Sequence, residues 1–120
     1  MEDAAAGKHV TKEVFLEARA CHTHGWYIRH DPPSEPSVAD LFRMQEGMEI
    51  HERARRLFDS GILIRQPSLA LAAEQTAALL KDPETQCLFE ATFLVDGYAT
   101  KADVLQRVED GWGLVEVKSN

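Results

Sequence analysis

Hydrophobic spacing divides the chain into a helical first half and an alternating second half. Val14, Phe15, Ala18 and Cys21 recur at helical intervals behind Thr11, whose hydroxyl suits an N-cap. A first helix is expected from Thr11 to about His24. Pro32, Pro33 and Pro36 exclude a helix over His30–Pro36 and mark a turn-rich linker. Ser37, with Asp40 three residues on, is the capping signal of a second helix. It is expected to reach about Ser60, where Gly61 stops it. Its inward stripe reads Leu41, Met44, Met48, Ala54 or Arg55, and Phe58, with His51 on the same stripe. Ile62-Leu63-Ile64 suits a short strand or an extended connection. Ser68 opens a third helix, rich in Ala and Leu, that Asp82-Pro83 ends.

From Gln86 the period changes to two. Gln86–Val95 alternates, Asp96-Gly97 reads as a hairpin turn, and Thr100–Val108 alternates again. Glu109-Asp110-Gly111 forms a second turn, and Trp112–Lys118 a third strand. Helices first and strands afterwards predict an α+β fold, with N-terminal helices packed on a three-stranded antiparallel meander. The length of 120 residues suits one domain over 1–120, with a loose polar tail over 1–10.

Composition narrows the function. A hydrophobic share of 44% supports a modest core, and no apolar run reaches membrane-spanning length, so no membrane partner is expected. The formal charge of −7 argues against a basic nucleic-acid coat. It leaves room for an enzyme that meets phosphate through metal at one local site. Met1-Glu2-Asp3 has no apolar block behind it, and Cys21 and Cys87 lie far apart. A reducing cytoplasm is therefore the expected setting.

The C-terminal strands carry the chemistry. Side chains alternate along a strand, so Glu116 and Lys118 share a face, roughly 6.5–7 Å apart. Lys101, Asp103, Leu105 and Arg107 share a face of the preceding strand. A hairpin in the right register brings Asp103 close to Glu116. A hard divalent ion, Mg²⁺ or Mn²⁺, relieves the repulsion of two carboxylates and can activate water against a phosphoryl group. A neighbouring lysine stabilises the added negative charge. Taken alone, Asp103 or Glu116 reads as a solvated face or a cross-strand ion pair. The apolar setting of Trp112, Leu114, Val115 and Val117 shifts that balance, because a desolvated charge needs a partner.

The run Phe89-Glu90-Ala91-Thr92-Phe93, Asp96-Gly97, Lys101-Ala102-Asp103-Val104-Leu105 and Trp112-Gly113-Leu114-Val115-Glu116-Val117-Lys118-Ser119 resembles the PD-(D/E)XK nuclease core. It is closest to RecB-like nucleases and their CRISPR-associated relatives. Gly47-Met48-Glu49-Ile50-His51 resembles the G-x-x-x-H element that such nucleases carry on a helix before the sheet. The segment from Phe15 through Cys21 to Trp26-Tyr27 resembles their opening helix. The likeness covers about Thr11 to Ser119. It implies a metal-dependent deoxyribonuclease, a hydrolase, with a partial restriction-endonuclease-like core.

The resemblance also assigns roles. His51, Asp103, Glu116 and the Val117 carbonyl would hold Mg²⁺ or Mn²⁺. Glu116, Asp103 and Lys118 would be catalytic, with Lys118 assisting the attacking water. Glu90 would be an auxiliary ligand, against the equal reading of an exposed strand glutamate on the face of Leu88, Thr92 and Leu94. DNA, single-stranded or as duplex ends, is the implied partner. Arg53 and Arg56, in a basic cluster with Arg55, are candidates for phosphate contact. The ordinary account is a helix face balancing Glu46, Glu49 and Glu52. Trp26 and Tyr27 suit base stacking or, more plainly, core packing.

Some relatives bind an iron–sulfur cluster through the cysteine matching Cys21. The other three cysteines are missing here, so Cys21 reads as a packing residue. Cys21-His22-Thr23-His24, with His30 beyond, fits no common zinc spacing. The family core continues past the lysine strand with a helix and a further strand. This sequence stops at Asn120, so a partial core is expected. A missing C-terminal segment or a second copy would then cover the edge of the last strand. The competing function is a catalytically inactive nuclease-like module for nucleic-acid binding or assembly.

Overall fold

The computed structural model describes residues 9–31 and 34–119. In chain order the elements are β1 (Val10–Thr11), α1 (Lys12–Ala20), α2 (His22–His30), α3 (Val38–Arg55), β2 (Gly61–Leu63), α4 (Leu69–Lys81), β3 (Cys87–Val95), β4 (Tyr98–Val108) and β5 (Gly111–Val115). The α+β class holds. The sheet, however, is mixed and five-stranded, in the order β1-β4-β3-β2 with β5 also on β4. The expected three-stranded antiparallel meander is therefore corrected. β1 joins β4 in parallel, and β2 joins β3 in parallel. Within the stretch expected as one domain, the chain forms two compact units. One comprises Met1–Glu35 with Phe93–Thr100, the other Pro36–Thr92 with Lys101–Asn120.

In the first unit, Thr11 Oγ1 accepts the Val14 N–H at 3.3 Å and starts α1 as its cap. Extended backbone at Cys21 (φ −155°, ψ 114°) ends α1, and α2 begins at His22. The single helix expected to His24 is thus two. Gly25 permits their close crossing, since a Cβ there would lie 2.5 Å from the Ala18 Cβ. Val10, at the end of the expected tail, pairs with Tyr98. The rest of that tail, except His9, lies outside the described residues, as do Pro32 and Pro33 of the linker. Trp26 and Tyr27 are half exposed rather than packed in the core, and Trp26 stacks on His30 at 4.2 Å.

In the second unit, Ser37 and Asp40 form the expected reciprocal capping box, and α3 follows. The inward stripe does not hold over its first half. Leu41, Met44 and Met48 are all exposed, and burial begins only toward Ile50, His51, Ala54 and Phe58. Only the C-terminal part of α3 thus meets packed side chains. Gly61 opens β2 instead of merely stopping the helix. A Cβ at Gly61 would meet the Phe89 ring at 2.1 Å, so the bare position lets the ring lie over it.

α4, capped by Ser68 as expected, connects β2 to its parallel neighbour β3. Cys87, Phe89 and Val104 form the core cluster, with Phe58, Leu63 and Val117 packed against it. Val117, on the segment after β5, is part of that packing. β4 and β5 are antiparallel, with Val104 opposite Val115 and Leu105 opposite Leu114. β5 ends at Val115, short of the expected Lys118.

Candidate metal centre

Three elements of the second unit deliver one group each to a common point. The last turns of α3 carry His51, β3 carries Glu90, and β4 carries Asp103. His51 Nδ1 lies 3.3 Å from Glu90 Oε1 and 3.8 Å from Asp103 Oδ1. One ligand atom from each of the three residues falls within 4.8 Å of the others. Their side chains are 28%, 27% and 20% exposed, which is enough for entry of an ion and too little for free hydration. Ligands about 2.1 Å from a hard divalent ion stand about 3 Å apart at adjacent octahedral corners and about 4 Å apart at opposite ones. The set of two carboxylates and an imidazole could hold a metal ion.

Asp103 is held from behind. Its Oδ2 accepts the Val117 main-chain N–H at 2.8 Å, which leaves Oδ1 on the His51 side. The paired register ends at Val104–Val115, and this hydrogen bond carries the contact between the two segments one step further.

Glu90 reaches the site by a route that alternation does not give. Its φ is 58°, a left-handed conformation in mid-strand. Phe89 and Ala91 are buried on either side of it, and Thr92 next, so the strict in–out pattern is lost there. From this backbone the Glu90 carboxylate meets His51, while the Thr92 N–H goes to Thr76 of α4.

Beside His51 and Glu90 opens a cleft of about 800 Å³, lined also by Glu52, Arg55, Arg56 and Arg65. Arg56 is tied to Glu52 at 3.2 Å. Among the described residues, Arg55 and Arg65 have no side-chain ion-pair partner, so two uncompensated guanidinium charges face the cleft. Arg53 is exposed and is not part of the lining. Sequence reasoning does not find Arg65, because only the parallel β2–β3 pairing brings the segment after β2 to the site.

Glu116 and Lys118 follow the end of β5, 49% and 72% exposed, with Lys118 Nζ 3.8 Å from Glu116 Oε1. Glu116 lies outside the group that could share an ion, and the Val117 hydrogen bond to Asp103 is made by its N–H, not its carbonyl. Cys21 is exposed rather than packed, Cys87 is buried, and burial raises the Cys87 thiol pKa. No further group of three metal-binding side chains at such range exists among the described residues; His24 meets Glu17 at 3.0 Å. No protein-family model, curated protein or solved structure matches the chain.

Proposed function

We propose that the chain is a metal-dependent deoxyribonuclease, or the metal-binding part of one, acting on phosphodiester bonds. The carrying observation is the convergence of His51, Glu90 and Asp103 beside a cleft that also presents Arg55 and Arg65. Mg²⁺ or Mn²⁺ bound there would polarise a phosphoryl oxygen and lower the pKa of its water. His51, Glu90 and Asp103 supply the ligand atoms, and the Val117 N–H fixes which oxygen of Asp103 faces the ion. Glu116 and the Val117 carbonyl, on the segment after β5, complete the set assigned by the PD-(D/E)XK resemblance. Lys118 places a positive charge for the developing anion. Arg55 and Arg65 grip the substrate phosphates. DNA, as a single strand or a duplex end, is the substrate class.

A second reading is an inactive nucleic-acid-binding or assembly module. The observation favouring it is the exposed Glu116–Lys118 ion pair, in which the lysine is already engaged. Calorimetric titration with Mn²⁺ followed by cleavage of labelled single- and double-stranded DNA separates the two. The nuclease reading expects an ion bound by the parent protein and not by Asp103→Asn, with cleavage abolished in Lys118→Ala. Ion binding without cleavage selects the module, and failure to bind Mn²⁺ removes the metal reading.

A further inference from the structure

Two of the largest fully buried side chains are threonines, Thr76 and Thr92. Thr76 Oγ1 donates to the Ala72 carbonyl of its own helix at 2.8 Å. The same oxygen accepts the Thr92 main-chain N–H at 3.0 Å, across the space between α4 and β3. Thr92 Oγ1 in turn donates to the Glu90 carbonyl at 3.1 Å. This relay of hydrogen bonds runs from helix to strand and ends on the residue whose φ is 58°.

A left-handed conformation is unfavourable for a residue with a Cβ and persists only where its surroundings over-determine it. A buried backbone donor must also find a partner. Thr76 meets the second requirement and Thr92 helps meet the first. We propose that Thr76 is a positioning residue: its hydroxyl, through Thr92, locks the left-handed backbone at Glu90 that presents its carboxylate to His51. A serine performs the same task and a valine of the same shape does not. The lock predicts that Glu90 geometry depends on a hydroxyl in α4, on an element that contributes nothing else to the site.

For its affinity arm the inference rests on the metal reading; its backbone arm does not. The experiment compares Thr76→Val, Thr76→Ser, Glu90→Gln and the Thr76→Val/Glu90→Gln double variant with the parent protein. Amide hydrogen exchange at Thr92 is measured without metal, and Mn²⁺ affinity by calorimetry. Thr76→Val should speed exchange at Thr92 and weaken Mn²⁺ binding about tenfold, as removal of a supporting hydrogen bond does at metal sites. Thr76→Ser should match the parent in both. In the Glu90→Gln background, Thr76→Val should cost no further affinity, because the carboxylate it positions is already gone.

Parent-like exchange at Thr92 in Thr76→Val overturns the proposal. An equal drop in affinity in the Glu90→Gln background overturns it too, since it reports general loosening. Should Thr76→Val not fold, Thr76→Ser decides: weakened binding in that folded variant sinks the lock. Failure of the parent to bind Mn²⁺ refutes the affinity arm through the metal reading alone, and the exchange comparison still judges the lock.

Discussion

The main-chain N–H of Val117 and the side chain of Asp103 form a 2.8 Å hydrogen bond that ties the segment after β5 to the middle of β4. The donor belongs to the backbone, so any non-proline residue at 117 supplies it. Val117→Pro removes the N–H and frees the carboxylate to rotate. Mn²⁺ affinity should fall about tenfold while the far-ultraviolet spectrum stays that of the parent. Val117→Ala should bind as the parent does. Equal affinities in the proline and alanine variants would show that the hydrogen bond does not orient Asp103.

Arg55 and Arg65 face the cleft without a side-chain ion-pair partner among the described residues. Replacing both by glutamine should weaken binding of a single-stranded oligonucleotide and leave Mn²⁺ affinity in place. The logarithmic salt slope should drop by about 0.7 for each phosphate that is no longer neutralised. Fluorescence anisotropy over a salt series reads both affinity and slope. Arg53→Gln serves as the control and should change neither.

Arg107 braces the second unit. Its Nε donates to the Thr85 carbonyl at 2.7 Å, its Nη2 to the Asp82 carbonyl at 3.0 Å, and its guanidinium lies 4.3 Å from the Trp112 ring centroid. A lysine cannot reproduce this planar fork. Arg107→Lys should cost about 1–2 kcal/mol of stability, read as a lower urea midpoint at unchanged slope.

Asp40 gives the capping box a pH dependence. Hydrogen bonds from the Ser37 side chain and main chain hold its carboxyl below the ordinary value of 3.8. A lowered folded-state value favours the native protein above the unfolded value. That contribution is present at neutral pH and disappears as pH falls below 3.8 through the lowered value. Amide exchange in the first turn of α3 should therefore quicken, after correction for intrinsic rates, as pH falls below 3.8. Asp40→Asn should flatten the profile.

Local signals in the sequence locate the structured parts of the chain. Thr11, Ser37 and Ser68 cap the helices that they are expected to cap, because a hydroxyl before an apolar period acts within one turn. The Asp96-Gly97 turn has φ of 49° and 82°, as a tight hairpin demands. The antiparallel pairing of β4 with β5 follows from the spacing of the second hairpin. Non-local relations escape such reading. The three-residue β2 pairs in parallel with a strand more than twenty residues later, and no periodicity reports such a partner. Leu41, Met44 and Met48 obey helical spacing yet stay exposed, since spacing marks a face without naming what covers it. Alternation does not announce the left-handed backbone at Glu90, because no glycine marks it.

That unmarked position sets folding against chemistry. Glycine at 90 would accept a φ of 58° at no steric cost. Glu90→Gly should therefore raise the melting temperature or leave it level while stripping the triad of a carboxylate. On the metal reading, the acid at this point exchanges some durability for a ligand.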